Sequence, residues 1–184
     1  TALRDLPASD VLWGAALVPD GATTWIYGTR AVDEPLVFGR DLLLARVAVT
    51  DVTDPRHWEY RTTSSWSSDR QNAAVIRPGR LGVSTVPSAA RWGTSFVLVT
   101  KPQEFVDPDV VALQSHQPWG PFTTLHLARF GSSSRVFRYS PAIVAGSDAA
   151  HPVIAVSQTS GSLTLIASRA SVTKPLFFDA TAAN

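Results

Sequence analysis

Between Val11 and Arg30 the sequence reads VLWGAALV, then PDGA, then TTWIYGTR. Two runs rich in β-branched and aromatic residues flank an Asp-Gly pair. That pairing is a strong short-range signal for a β-hairpin, because glycine supplies the positive φ a tight turn needs. Two further runs, DLLLARVAV and HWEYRT, follow after turn residues. The unit, residues 10–62, reads as a four-stranded antiparallel meander. A similar unit covers residues 81–129, with LGVSTVPS, TSFVLVTK, DVVALQSHQ and TTLHLAR. A third covers residues 136–180 and contains HPVIAVSQ, SLTLIASR and PLFFDAT. The starts at Val11, Leu81 and His151 lie about 70 residues apart, too long for helical repeats but compatible with propeller blades joined by long loops. The pattern shows no amphipathic helix of any length, so the expected fold class is all-β, built from antiparallel blades.

The chain of 184 residues is long enough for one domain with a real core. Apolar content of 45% and charged content of 17% argue against global disorder. The net charge is +1 with no basic stripe, which argues against nucleic-acid binding. Every apolar run is broken within about 8 residues, so none spans a bilayer. Cysteine is absent, which excludes disulfides, thiol catalysis and cysteine-based zinc sites. The four histidines, His57, His116, His126 and His151, have no metal-ligand spacing. No cofactor is expected; calcium or another ion on a propeller axis stays open. Ala, Arg, Val and Asp are plentiful and Lys is scarce, the bias of a high-GC bacterial genome. Methionine is absent, even at position 1, so the chain is expected to be a processed or truncated piece.

In chain order, Thr1 to Ser9 reads as an irregular lead-in. Val11 onward, Leu81 to Ser88 and His151 to Gln158 read as the innermost strands of three blades. The small residues Gly14, Ala15 and Ala16 suit close packing at an axis. Val136 to Val144, interrupted by Pro141, reads as an edge strand or a connection into the last blade. Gly131 to Arg135 reads as a flexible loop, Leu163 to Ser168 as a return strand, and Ala180 to Asn184 as a frayed tail. A ring needs at least four blades. Three units would leave open sheet edges, so either another segment or polypeptide completes the propeller or the units pack as a sandwich. The first option is preferred, with this chain as the C-terminal half.

Several of these runs also carry a family likeness. WGAALVPDGATTWIYGTR, LLLARV and WEY, then SFVLVTK, SHQPWGPFT and HPVIAV, resemble blades of an actinobacterial family formerly listed among domains of unknown function. That family includes endo-D-arabinanases. The likeness runs from about Asp10 to Asp179. The elements that carry most of it are Trp13 to Ala16 and Ser115 with Pro118 to Pro121. The resemblance implies a five-bladed β-propeller, secreted or held in a bacterial cell envelope, acting on an arabinan-like polysaccharide. The carboxylates essential in such enzymes sit largely on first blades that have no counterpart here, so no catalytic pair is carried over.

Glycoside hydrolysis generally uses two carboxyl groups flanking the scissile bond. Inner strands of a propeller present their polar ends at the axis, which makes Asp10 the candidate catalytic carboxylate. Arg80 and His151 occupy comparable positions and are expected to line the same axial pocket as substrate-binding residues. Trp13 is the candidate axial aromatic. Trp119 is a candidate for stacking on a sugar ring, although such tryptophans more often serve in packing. Asp69 and Arg70, in the polar inter-blade connection, complete the set of candidate binding residues. The adjacent Asp33 and Glu34 point oppositely on extended chain and make a poor catalytic pair. Three readings follow: a glycosidase half that needs further carboxylates from a missing segment, a non-catalytic propeller that binds glycan or protein, and a structural β-rich subunit.

Overall fold

The computed structural model describes residues 9–131, 136–162, 164, 166 and 173–180. The lead-in before Ser9, the Ser132 to Arg135 part of the expected loop, and the tail beyond Ala180 lie outside the described residues. The fold is all-β, with three antiparallel sheets in chain order. The first contains β1 (Val11–Asp20), β2 (Thr23–Arg30), β3 (Asp41–Ala48), β4 (Glu59–Arg61) and β5 (Trp66–Ser67). The second contains β6 (Ser88–Trp92), β7 (Ser95–Thr100), β8 (Asp109–Ser115) and β9 (Thr123–Arg129). The third contains β10 (Val136–Ile143), β11 (Val153–Ser160) and β12 (Leu176–Asp179). Each is a meander, with every strand paired to its predecessor in sequence.

The first hairpin forms as the sequence requires. Asp20 pairs with Thr23 across a two-residue turn, and Gly21 takes φ +62°. Asp20 then joins two sheets: its Oδ2 accepts from Trp25 Nε1 at 3.2 Å and from Arg91 Nη1, near the β6–β7 hairpin, at 3.1 Å. A bulge interrupts β1 between Trp13 and Ala16. Gly14 and Ala15 therefore serve the bulge. Nothing lies within 4 Å of where a Gly14 side chain would begin, so these small residues do not mark a close approach at an axis.

Alternation along the strands decides which core each residue joins. Tyr27, Leu42 and Leu44 of the first sheet face Phe96, Leu98, Val111 and Leu113 of the second. The intervening positions of the second sheet, Val97, Val99, Val110 and Ala112, pack on Ile154 and Val156 of the third. The middle sheet is thus buried on both faces. Fully burying a Leu, Ile or Phe contributes about 1.5–3 kcal/mol, so these two interfaces supply much of the driving force for stacking the sheets. A third core, Ile26, Ala45, Val47, Trp58 and Tyr60, lies on the other face of the first sheet. Trp13, Val52 and Ala73 cover it. That face is closed by the chain's own turns.

Three strand expectations need correction. Leu81 to Ser88 is not an inner strand: Gly79–Leu81 is a 3-10 turn, and pairing begins only at Ser88. The reason is that Val83 spends its backbone on Arg40, through Arg40 N to Val83 O at 2.9 Å and Val83 N to Arg40 O at 3.2 Å. The segment stitches the first sheet to the second. His151 to Gln158 is likewise not innermost, because β11 is the middle strand of its sheet, between β10 and β12. The Pro141-containing run is instead the first strand. Its register shifts between Tyr139 and Pro141, which lets the ladder tolerate the proline. Finally, the expected return strand Leu163 to Ser168 is helical at its described positions Thr164 and Ile166. Ile166 N donates to Ser162 O at 3.1 Å, and β11 finds its second partner in β12.

The first strands of successive sheets lie side by side: β1 contacts β6, and β6 contacts β10. That convergence is the arrangement of propeller blades, although the three sheets do not close into a ring.

Candidate functional site

Four of the residues singled out from sequence gather on the covered face of the first sheet. Trp13 lies across Gly28, where an added Cβ would sit 2.6 Å from the indole and 2.7 Å from Val11. The same indole meets Tyr60 edge-on, with ring centroids 5.0 Å apart. Its Nε1 is buried with no acceptor. Trp13 is therefore a cleft wall on the outer face of the sheet, not an axial aromatic.

Two short 3-10 turns build the rest. Pro55–His57 is capped by Asp54, whose carboxylate accepts from Arg56 N at 3.1 Å and grips the Arg56 guanidinium through Nε at 2.9 Å. The Arg56 guanidinium and backbone hold the Asp54 carboxyl well below the usual carboxylate range. Arg70–Asn72 is capped by Asp69, whose Oδ1 accepts from Gln71 N at 2.9 Å. A 3-10 turn leaves its first amides without partners, and a preceding aspartate satisfies one of them. This capping places Arg70 at the foot of the turn, half-buried.

Trp13, Arg56, Trp58, Tyr60, Asp69 and Arg70 surround a cleft of about 260 Å³. Trp58 is pinned by Nε1 donating to Val52 O at 3.2 Å. Burial raises the Tyr60 phenol above its usual range, so it stays protonated and can donate. Arg70 also lines a neighbouring cleft of about 420 Å³, together with Asp10, Arg30 and Gln71. Asp10 is mostly exposed, its side chain 74% accessible, and lies 3.9 Å from Arg30 Nη1. Arg30 binds Asp41 more closely, at 3.0 Å. The two clefts share Arg70, so Asp10, Trp13, Asp69 and Arg70 belong to one surface. Trp58 and Tyr60 are buried in the core beneath this face, so the half-buried Trp13 is the aromatic the cleft presents; beside it Arg56, Asp69 and Arg70 offer the donors and acceptors that ligand hydroxyls need.

The other three residues lie elsewhere. Arg80 is exposed and ion-paired to Glu34, with its backbone O near Gln103 Nε2 at 3.3 Å. His151 is exposed and sits 3.6 Å from Asp148. Neither is among the described residues that line the cleft of Asp10 and Arg70. The strand order explains this: Arg80 precedes a linker and His151 precedes a middle strand. Trp119 is a packing residue. It stands 6.1 Å from both Trp25 and Trp66, and Arg61 lies over its ring at 5.0 Å. Beside it, Tyr27 Oη donates to Pro118 O at 2.8 Å. The Pro118 to Pro121 element thus fastens the β8–β9 turn to the first sheet.

Arg56, Trp58 and Tyr60 were not singled out from sequence as site residues. The signal was present in HWEYRT: Trp58 and Tyr60 are both buried while the intervening Glu59 is exposed, so the two aromatics share a face. Among the described residues there is no group of three or more His, Asp or Glu that could hold a metal ion. No helix formed by the described residues is long and apolar enough to cross a membrane.

These features define an all-β protein of stacked, blade-like antiparallel meanders, with an aromatic and charged cleft on the outer face of its first sheet. The chain belongs to the family described as domain of unknown function DUF5005, whose family model matches residues 3–152. The match covers the first two sheets and all of β10. No curated protein matches the chain.

Proposed function

We propose that this chain binds an arabinan-like polysaccharide of the bacterial cell envelope through the surface shared by Trp13, Arg70 and Asp10. The observation that carries the reading is the convergence of Trp13 with Arg56, Asp69 and Arg70 around one cleft. The resemblance of the WGAALVPDGATTWIYGTR and SHQPWGPFT runs to blades of the endo-D-arabinanase family supports the furanose polymer as ligand. Secretion or envelope attachment follows from that ligand. A second reading, hydrolysis, is favoured by Asp10, an accessible carboxylate in the cleft that adjoins Arg70. Cleavage requires another carboxylate about 5–10 Å from it. In this reading it comes from a segment or polypeptide that completes the ring of blades.

Calorimetric titration with D-arabinan oligosaccharides tests both. The native chain is expected to bind saturably. Arg70→Gln is expected to bind at least about tenfold more weakly, a loss of about 1.4 kcal/mol, with an unchanged thermal midpoint. Asp10→Asn, which keeps a side-chain oxygen as acceptor, is expected to weaken binding less than Arg70→Gln does, and to abolish cleavage in any preparation that cleaves. A folded chain with no affinity for arabinan, or an Arg70→Gln variant that binds as well as wild type, contradicts the proposal.

A further inference from the structure

The Pro55–His57 turn carries more than a cap. A cap needs one oxygen on a backbone amide, and Asp54 Oδ1 supplies it to Arg56 N at 3.1 Å. Asp69 caps the Arg70–Asn72 turn in the same way, through Oδ1 on Gln71 N. In the first turn the carboxylate also grips the guanidinium of Arg56. Nε stands 2.9 Å from Oδ1 and 3.2 Å from Oδ2, and Nη2 stands 2.5 Å from Oδ2. An exposed ion pair contributes little to stability, so this grip is not what the turn requires in order to fold.

What the grip fixes is a cleft residue. Arg56 lines the cleft with Trp13, Asp69 and Arg70, and so does Pro55, which stands between the paired residues. The Arg56 side chain is 78% exposed. A long exposed side chain ordinarily samples many rotamers, and losing them on binding opposes affinity. Two constraints restrict that freedom here. Proline at the start of the turn fixes its own φ. The carboxylate engages Nε and Nη2 together, the edge of a guanidinium that two carboxylate oxygens match. None of these bonds uses Nη1, whose two N–H groups are left for a ligand.

We propose that Asp54 is a positioning residue of this cleft: it holds Arg56 as a preformed hydrogen-bond donor to ligand hydroxyls and acts through Arg56 alone. This role rests on the cleft being the glycan site proposed above.

Calorimetric titration of D-arabinan oligosaccharides into the native chain, Asp54→Ser, Arg56→Gln and the double variant tests it. Serine keeps a capping oxygen but cannot grip a guanidinium with two oxygens. Each single variant is expected to bind at least about fivefold more weakly than the native chain, with a thermal midpoint within about 4 °C of it. In the Arg56→Gln background, Asp54→Ser is expected to change affinity by less than about twofold, because the group it acts through is gone. A merely structural role of Asp54 would give the same loss in both backgrounds. That result, or native affinity in Asp54→Ser, overturns the positioning role and leaves the glycan reading standing. A folded native chain that binds no arabinan overturns the glycan reading and this role with it. Asp54→Asn, which also caps but lacks the charge, gives the same comparison if the serine variant fails to fold.

Discussion

At the scale of single residues, Gly28 shows how a function-bearing contact escapes a sequence reading. Trp13 is conspicuous in the sequence, and so is its place on the first strand. What it touches depends on the β1–β2 register, which pairs Trp13 with Gly28 directly before the bulge. A side chain at position 28 would occupy the space of the indole. Gly28→Ala is therefore expected to displace Trp13 and lower stability by about 1–3 kcal/mol, the usual cost of forcing atoms into a packed site. Urea unfolding followed by tryptophan fluorescence measures both effects; unaltered stability would mean that Trp13 is free to move. The same dependence on register hid Lys101. Nothing in SFVLVTK distinguishes a lysine that ends a strand in solvent from one that is only 2% exposed. Asp69 and Arg70 are legible only as polar residues of the inter-blade connection; that Asp69 caps the turn beginning at Arg70 emerges from the structure.

At the scale of elements, runs with one clear period were read well. The hairpin at Gly21 and strands β2, β3, β7 and β8 all fall where alternation and turn residues place them. Leu81 to Ser88 fails because sequence alone does not reveal where its backbone amides find partners: Val83 pairs with Arg40, so the run is a linker. Val136 to Val144 is an edge strand as expected, and a register shift accommodates its Pro141. The β8–β9 turn illustrates the opposite case, in which a recognisable motif has a structural role. Trp119 packs between Trp25, Trp66 and Arg61, and Pro118 O accepts from Tyr27. Trp119→Ala is expected to cost about 3 kcal/mol, at the lower end for a buried tryptophan because the ring is only partly buried. Hydrogen exchange should quicken at Gly120 N, which donates to Gln117 O, while β11 amides keep their protection. Unchanged exchange at the turn would show that Trp119 does not anchor it.

At the scale of the whole molecule, three sheets stack so that the middle one is buried on both faces, and their first strands adjoin. The outer face of the first sheet is the informative departure from a plain stack. It is covered by Trp58, Tyr60, Val52 and Trp13 from the chain itself, and the turns that cover it form the clefts. The proposed ligand surface lies on a lateral face, built by β4 and two capped turns, rather than at the converging polar ends of inner strands. Its residues were partly visible in sequence, but their convergence required the fold of the Thr50 to Ala73 segment over the sheet.

The central claim is that this face is where the chain meets its ligand. Hydrogen exchange across the whole chain, with and without saturating D-arabinan oligosaccharide, tests it most directly. The account predicts added protection confined to residues 10–13, 56–60 and 68–73, with the second and third sheets unaffected. Protection confined to the second or third sheet, or no protection anywhere, would contradict it.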